Sequence, residues 1–358
     1  MRRVPLEAAR PGQKLAAAVN YGGRTILASG VVLNEEMLKT IRSLGIRQIT
    51  VVDSRFEGIS PAASLPQAVR EWGLETLGEI FREQEENGAG GAQIPLSSIA
   101  GLATEIDSQL SVRPGRPVTL IEDEPEASYL PVHSLNVAVL AMAVARQAGY
   151  TDRIIDIGIG ALLHDLGMVN VPRELRERAG PLAPAEWDII RRHPEAGFRA
   201  LAGHPAVSNF AKVIVVQHHE REDGSGYPRG TQGKDIYPFA KLVAICDAYA
   251  AMVAERPYRG QYLPHQAMEF LMSGAGYEFD HTLVQHFCKC VAPYPVGTMV
   301  VLNTGETGIV VDVERGYLSR PTVRVITDRK GQELVRYYEL NLSAPINHSS
   351  VIVDVVRE

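Results

Sequence analysis

Seven side chains with metal-ligating chemistry are spread through one otherwise apolar stretch of the sequence: His133, His164, Asp165, His193, His218, His219 and Asp247. Taken one at a time, each is an ordinary helix residue, surface group or cap. Taken together, they fall on apolar helices or at helix ends, where an uncompensated polar group costs roughly 1 to 3 kcal/mol. A cation held between them removes that cost. His164 and Asp165 follow the apolar run IIDIGIGALL and precede Gly167, which puts the pair at a helix C-terminus, where a carboxylate gains nothing from the helix dipole. His218 and His219 follow VIVVQ in the same manner. Adjacent helical residues project about 100 degrees apart, so both imidazoles reach one ion only at a distorted helix end. Two ions relax that demand, because one carboxylate such as Asp165 can bridge ions about 3.5 to 4 Å apart. The chemistry this implies is hydrolysis, with a water between the ions acidified into a nucleophile.

The elements that must position these residues read as helices. Between about 127 and 292, apolar positions recur at three- and four-residue spacing in HSLNVAVLAMAVARQAG, DRIIDIGIGALLHDLG, PAEWDIIRRHPEAGFRALAG, AVSNFAKVIVVQHHE, FAKLVAICDAYAAMVAE and TLVQHFCKCV. Residues 1–60 read as a small mixed α/β N-terminal module, with short strands in TILASGVVL and IRQITVVD around a helix from Glu35 to Leu44. Residues 61–126 read as a helical connector, with helices over Leu65 to Glu86 and Ile94 to Leu110 and a Gly-rich linker, NGAGGAQ, near 87–93. Residues 293–358 change to alternating β-branched strands with glycine turns, a small β C-terminal module. The expected fold class is mainly α: a helical bundle domain flanked by small β-containing modules at the N- and C-terminal ends.

Composition narrows the function classes. A formal charge of −6 gives no global basic field for a nucleic-acid polymer, so DNA is not an expected partner, while a local cationic pocket for a small anion remains open. Three cysteines, Cys246, Cys288 and Cys290, make neither a disulfide framework nor a CxxC pair and fit a reducing compartment. The first residues are basic but lack the apolar region of a signal peptide, and the longest apolar run, Val137 to Ala145, falls short of the about 20 residues that span a bilayer. The expectation is a cytoplasmic protein with no membrane anchor.

HSLNVA, HDLG, HP, HHEREDGSGYP and CDAY with ERPYR occur in an order and approximate spacing that resemble the HD-GYP family of HD-superfamily metal phosphohydrolases. The resemblance covers roughly 127–292, and HHExxDGxGYP is its most specific part. It implies a helical phosphodiesterase that opens cyclic di-GMP to linear pGpG, and on to GMP, by means of a metal-bridging hydroxide. It also implies a role for each residue. His133, His164, Asp165 and Asp247 would hold one divalent ion, and Asp165, His193, His218 and His219 the other. Imidazole and carboxylate donors without thiolate suit iron or manganese, with zinc also compatible. Gly226, Tyr227 and Pro228 would shape the nucleotide-binding wall, glycine allowing close backbone approach and proline fixing the loop. Arg256 and Arg259 match the family's basic positions, where a planar guanidinium suits a phosphodiester. As an enzyme the chain would act through Asp165, Arg256 and Arg259.

The sequence also departs from the family pattern. Met168 stands where a lysine usually follows HDxG, which removes a cation expected near the scissile phosphate. Ala250 and Val253 stand at positions that are usually polar, and Tyr129 stands where relatives with a third ion carry glutamate, so two ions are expected. Lys241 and Arg178 lie near the motifs but read as surface residues. These departures leave a second reading open: a catalytically weak or inactive relative that binds metal and a cyclic dinucleotide as a signalling module. A third is a phosphohydrolase for another nucleotide, cyclic GMP-AMP included. The partners considered are the dinucleotide, a second copy of the chain in a homodimer through the helices between Leu65 and Leu110, or a signalling protein.

Overall fold

The computed structural model describes residues 1–356 other than 22–23, 47, 61–62, 89–92, 114, 121–128, 177, 179 and 255–261. At the N-terminal end, β1 (Arg2–Pro5) pairs antiparallel with a later strand, while β2 (Val19–Tyr21) and β3 (Arg24–Leu27) form a two-stranded ladder. Asn34 starts α1 (Glu35–Ser43), its side chain accepting the Met37 N–H and so satisfying one of the helix's orphan donors. β4 (Gln48–Val51) follows and is the partner of β1, with Val4 opposite Ile49. Leu15, Leu33, Ile41, Ile49 and Val51 are buried together beneath these elements.

The helices are α2 (Gln67–Asn87), α3 (Leu96–Ser111), α4 (Tyr129–Ala148), α5 (Ile154–Leu163), α6 (Arg173–Arg176), α7 (Pro184–Ile190), α8 (His193–Ala202), α9 (Asn209–Gln217), α10 (Pro238–Val253), α11 (Pro264–Ser273) and α12 (His281–Cys288). α4 runs through their middle. It is long and apolar enough to cross a membrane by length and composition alone, yet 83% of its apolar window is buried in the bundle, as a core helix is. Its Leu135, Leu140 and Met142 join Leu77, Ile106, Ile157, Leu162, Ile214 and Phe287 in one core. The helices read as a connector, α2 and α3, contribute to that core and belong to the bundle. The stretch PAEWDIIRRHPEAGFRALAG, read as one helix, is two. Pro194 has no N–H to continue the ladder and its ring clashes with the preceding turn, so α7 stops at Ile190 and α8 restarts at His193.

β5 (Met299–Leu302), β6 (Thr307–Asp312), β7 (Thr322–Thr327), β8 (Glu333–Asn341) and β9 (Ile352–Val355) form an antiparallel sheet in the order β8-β7-β6-β5-β9. Although the two ends of the chain read as separate modules, they make one compact unit, distinct from the helical one. Phe56 and Ile59 are buried with Met299, Ile309 and Ile326, and the Arg324 guanidinium donates to the Glu57 carbonyl at 2.6 Å. The three cysteines are unpaired.

Candidate metal centre

Five helices and one tight approach assemble the site. α5 ends at Leu163 with His164 as its C-cap, and Asp165 opens a 3-10 turn over Leu166–Asn170. Gly167 in that turn lies directly against the start of α8: a Cβ there would collide with the His193 carbonyl and stand 2.6 Å from the Gly197 nitrogen. Only glycine lets the two backbones meet, and that meeting brings His193 to Asp165. α9 ends the same way, with His218 as C-cap and His219 just beyond, which resolves the adjacent-imidazole problem at a helix terminus. His133 projects from the first turns of α4 and Asp247 from within α10, both buried.

All seven donors converge. Asp165, His193, His218 and His219 each offer an atom within 4.8 Å of the others, and so do His133, His164 and Asp247. Asp165 joins the two groups: its Oδ1 is 3.2 Å from His193 Nε2, while its Oδ2 is 3.5 Å from His164 Nε2 and 3.8 Å from His133 Nε2. Asp247 Oδ1 is 2.9 Å from His133 Nε2, and its Oδ2 is 3.6 Å from His219 Nδ1.

The donor set fits cations, on grounds internal to the chain. His164, His193 and His218 each donate Nδ1–H to the carbonyl three residues earlier, to Ala161 at 2.7 Å, Ile190 at 2.8 Å and Val215 at 2.9 Å. A helical carbonyl thus holds the Nδ1 side of each ring and leaves its Nε2 facing inward. His193 Nε2 and His218 Nε2 then approach to 3.2 Å, and His164 Nε2 is buried with no hydrogen-bond partner. Ring nitrogens converging at that distance in a buried site suit a shared cation. Burial, reinforced by His164 and His193, pushes the His218 imidazole down to about 3, so it is neutral at working pH. Burial and His218 hold His219 well below the usual histidine range. For Asp165 burial acts upward, but His164, the His193 hydrogen bond and His133 outweigh it and keep the carboxyl well below its ordinary value. Asp247 follows the same balance, with the His133 hydrogen bond and His219 as its main counterweights.

The Gly-Tyr-Pro segment folds back on the histidine pair. A Cβ on Gly226 would strike the His219 carbonyl and stand 2.5 Å from the Arg221 nitrogen and 2.6 Å from Glu220 Cα, so glycine is needed for that contact. The Tyr227 N–H donates to the His219 carbonyl at 3.1 Å, and its ring stacks on His219 with centroids 4.6 Å apart. Pro228 follows through a cis peptide bond. The buried Glu220 carboxylate accepts the Arg229 and Thr231 N–H groups at 2.9 and 2.8 Å and ties down the loop's far end. Burial, together with Asp247 and Asp165, pushes the Tyr227 phenol far above its ordinary value, so it keeps its proton.

Arg256 and Arg259 lie outside the described residues. Lys241 is 2.7 Å from a Glu222 carboxylate oxygen and Arg178 is paired with Glu186, so both are committed elsewhere. Met168 is half-buried and packs against the helical core, as Ala250 and Val253 do more deeply. Three further residues at the site escape a reading by donor type. Tyr129 stacks on His133 at 5.0 Å, Glu220 anchors the loop, and the Arg191 guanidinium lies 5.9 Å from the Tyr227 ring centroid. Nothing local marks Tyr129 or Arg191; for Glu220 the signal was its place between two histidines and a turn.

A helical bundle that closes an HDLG turn and four further histidines around a shared carboxylate is an HD domain. Residues 117–283 match the HD domain family, and residues 299–358 match the KOW domain associated with HD domain. The HHEREDGSGYP segment folded onto that centre makes the site similar to those of cyclic-dinucleotide phosphodiesterases, with which the chain shares sequence. It is 33% identical over 236 residues to a cyclic di-GMP phosphodiesterase of Pseudomonas aeruginosa, a match over 66% of this chain and 57% of that protein. It is 34% identical over 155 residues to a 3'3'-cGAMP-specific phosphodiesterase of Vibrio cholerae, over 43% of this chain and 30% of that one. The chain therefore spans little more than half the length of the first relative and under a third of the second. Among solved structures, an HDG"Y"P protein from Bdellovibrio bacteriovorus aligns over 80% of this chain and 97% of its own, at 19% identity and a TM-score of 0.49.

Proposed function

We propose that this protein is a metal-dependent phosphodiesterase that hydrolyses cyclic di-GMP to linear pGpG, with GMP as the further product. The observation that carries the reading is the convergence of seven imidazole and carboxylate donors, six of them buried and His219 half-buried, in two groups that share Asp165, with Tyr227 stacked against them. His133, His164, Asp165 and Asp247 would hold one divalent ion and Asp165, His193, His218 and His219 the other, iron or manganese before zinc. Such ions supply Lewis acidity toward a phosphodiester and lower the pKa of water.

The chain's own residues do the rest. The helical carbonyls hold three imidazoles in one orientation, so the site is organised before any ligand arrives. Asp165 and Asp247 stay ionised and offset the charge of the ions. The Tyr227 hydroxyl keeps its proton and serves as a hydrogen-bond donor to a phosphate oxygen, with Gly226 and Pro228 shaping the wall beside it. The resemblance of ERPYR to the family's basic positions gives Arg256 and Arg259 the role of phosphate-binding cations. The relatives' names support a cyclic dinucleotide, cyclic di-GMP first and cyclic GMP-AMP second. A substrate of that class fits a cytoplasmic location, as do three unpaired cysteines.

The test is purified protein loaded with Mn(II) or Fe(II), incubated with cyclic di-GMP and resolved by chromatography. Accumulating pGpG is the expected result, and an intact substrate that does not bind removes the proposal. Met168 favours a second reading, a metal- and dinucleotide-binding module with little turnover, since an apolar side chain occupies that position and neither Lys241 nor Arg178 replaces its charge. Saturable binding without pGpG selects it.

A further inference from the structure

Tyr227 links the donor cluster to a cation outside it. Its ring stacks on His219, and the Arg191 guanidinium carbon lies over the same ring at 5.9 Å from the centroid. Arg191 is the C-cap of α7, two residues before His193, and its N–H donates to the Trp187 carbonyl at 2.8 Å. The helix break imposed by Pro194 therefore sets where this side chain emerges. Among the described residues its carboxylate contact is Asp188 at 3.9 Å, with side chains 55% and 64% exposed. A pair so exposed and so long is weak and screened by salt, which leaves the guanidinium donors for another anion. Arg221 also acts on the Tyr227 hydroxyl, but its guanidinium is stacked 4.8 Å above Phe279.

We propose that Arg191 is a substrate-binding residue, giving hydrogen bonds to a phosphate oxygen of the cyclic dinucleotide where the ligand passes Tyr227. The assignment rests on the phosphodiesterase reading above. A planar fork suits the paired oxygens of a phosphodiester, and its place over the aromatic wall holds the fork in one plane. It also supplies positive charge beside a centre whose HDLG turn is followed by Met168.

Mn(II)-loaded wild-type, Arg191→Ala and Arg191→Lys proteins are compared in KM and kcat for cyclic di-GMP, in calorimetric affinity for pGpG, and in metal content. Arg191→Ala is expected to raise KM and weaken pGpG binding about tenfold, the loss of one charge-assisted hydrogen bond, with kcat within about threefold of wild type and metal content unchanged. Arg191→Lys should recover part of both. KM and affinity within about twofold of wild type overturn the assignment, as does a fall in kcat accompanied by lost metal, which marks a structural role. Where turnover is absent, the affinities alone decide. Wild-type protein that neither binds nor cleaves the dinucleotide removes the phosphodiesterase reading and this assignment with it, whereas a functional wild type beside an unchanged Arg191→Ala removes the assignment alone.

Discussion

Asp165 is the residue on which both donor groups close, one oxygen toward His193 and the other toward His164 and His133. If it is shared between two ions, Asp165→Ala should lower bound Mn(II) from about two equivalents to less than about one, whereas His133→Ala should remove only about one. Elemental analysis of the dialysed proteins measures this, and an Asp165→Ala variant that retains both ions contradicts the sharing. Met168 poses the complementary question. Its side chain is half-buried against the helical core, within the 3-10 turn that Asp165 opens. Met168→Lys returns a cation to that place, and kcat for cyclic di-GMP is expected to rise about tenfold as developing phosphate charge gains a partner. A rate equal to wild type shows that this substitution does not limit turnover.

At the scale of elements, the reading of the sequence went furthest where one residue type answers one physical demand. Helices were legible from apolar spacing, and the donors were legible because imidazoles and carboxylates at apolar helix ends need compensation. What stayed hidden depended on tertiary contact. Pro194 splits an otherwise periodic stretch, and Arg191 has the composition of any surface arginine until Tyr227 is folded beneath it. The Gly-Tyr-Pro loop is where local sequence and tertiary contact meet. Its backbone passes so close to His219, Glu220 and Arg221 that Gly226→Ala must push the loop away, and backbone atoms cannot yield as a flexible side chain would. The expected outcome is a loss of about 1 to 3 kcal/mol in stability with weaker dinucleotide binding. Glu220→Ala should act similarly by leaving the Arg229 and Thr231 amides without their acceptor, and Glu220→Gln should restore part of the loss. Urea unfolding with calorimetric binding checks both, and a Gly226→Ala protein equal to wild type in each rejects the close-packed loop.

For the molecule as a whole, the joining of the chain's two ends was not legible, because strand and core contacts made across more than two hundred residues leave no periodic trace. The buried site, by contrast, has a consequence that global stability can report. In the unfolded chain a histidine takes up a proton near 6.5, whereas buried His218 refuses one until about 3, and His219 is shifted in the same direction. Between those values the unfolded state binds more protons, so stability is complete above about 6.5 and falls as the pH drops, by about 1.4 kcal/mol per pH unit for each such group. Asp165 and Asp247, whose folded values lie below 3.8, add a further loss once the pH falls under that value. Metal loading should oppose the first loss, since ligand imidazoles must be neutral to bind and the ions bind only the folded chain. Both tryptophans, Trp72 and Trp187, lie in the helical unit, so their fluorescence follows its unfolding without interference from the terminal sheet. Chelator-treated protein is therefore expected to show a falling tryptophan-detected Tm from pH 7 to pH 5, with Mn(II) raising Tm at the upper end of that range and progressively less toward the lower. A Tm independent of pH across this window is incompatible with neutral imidazoles buried at the centre of the bundle.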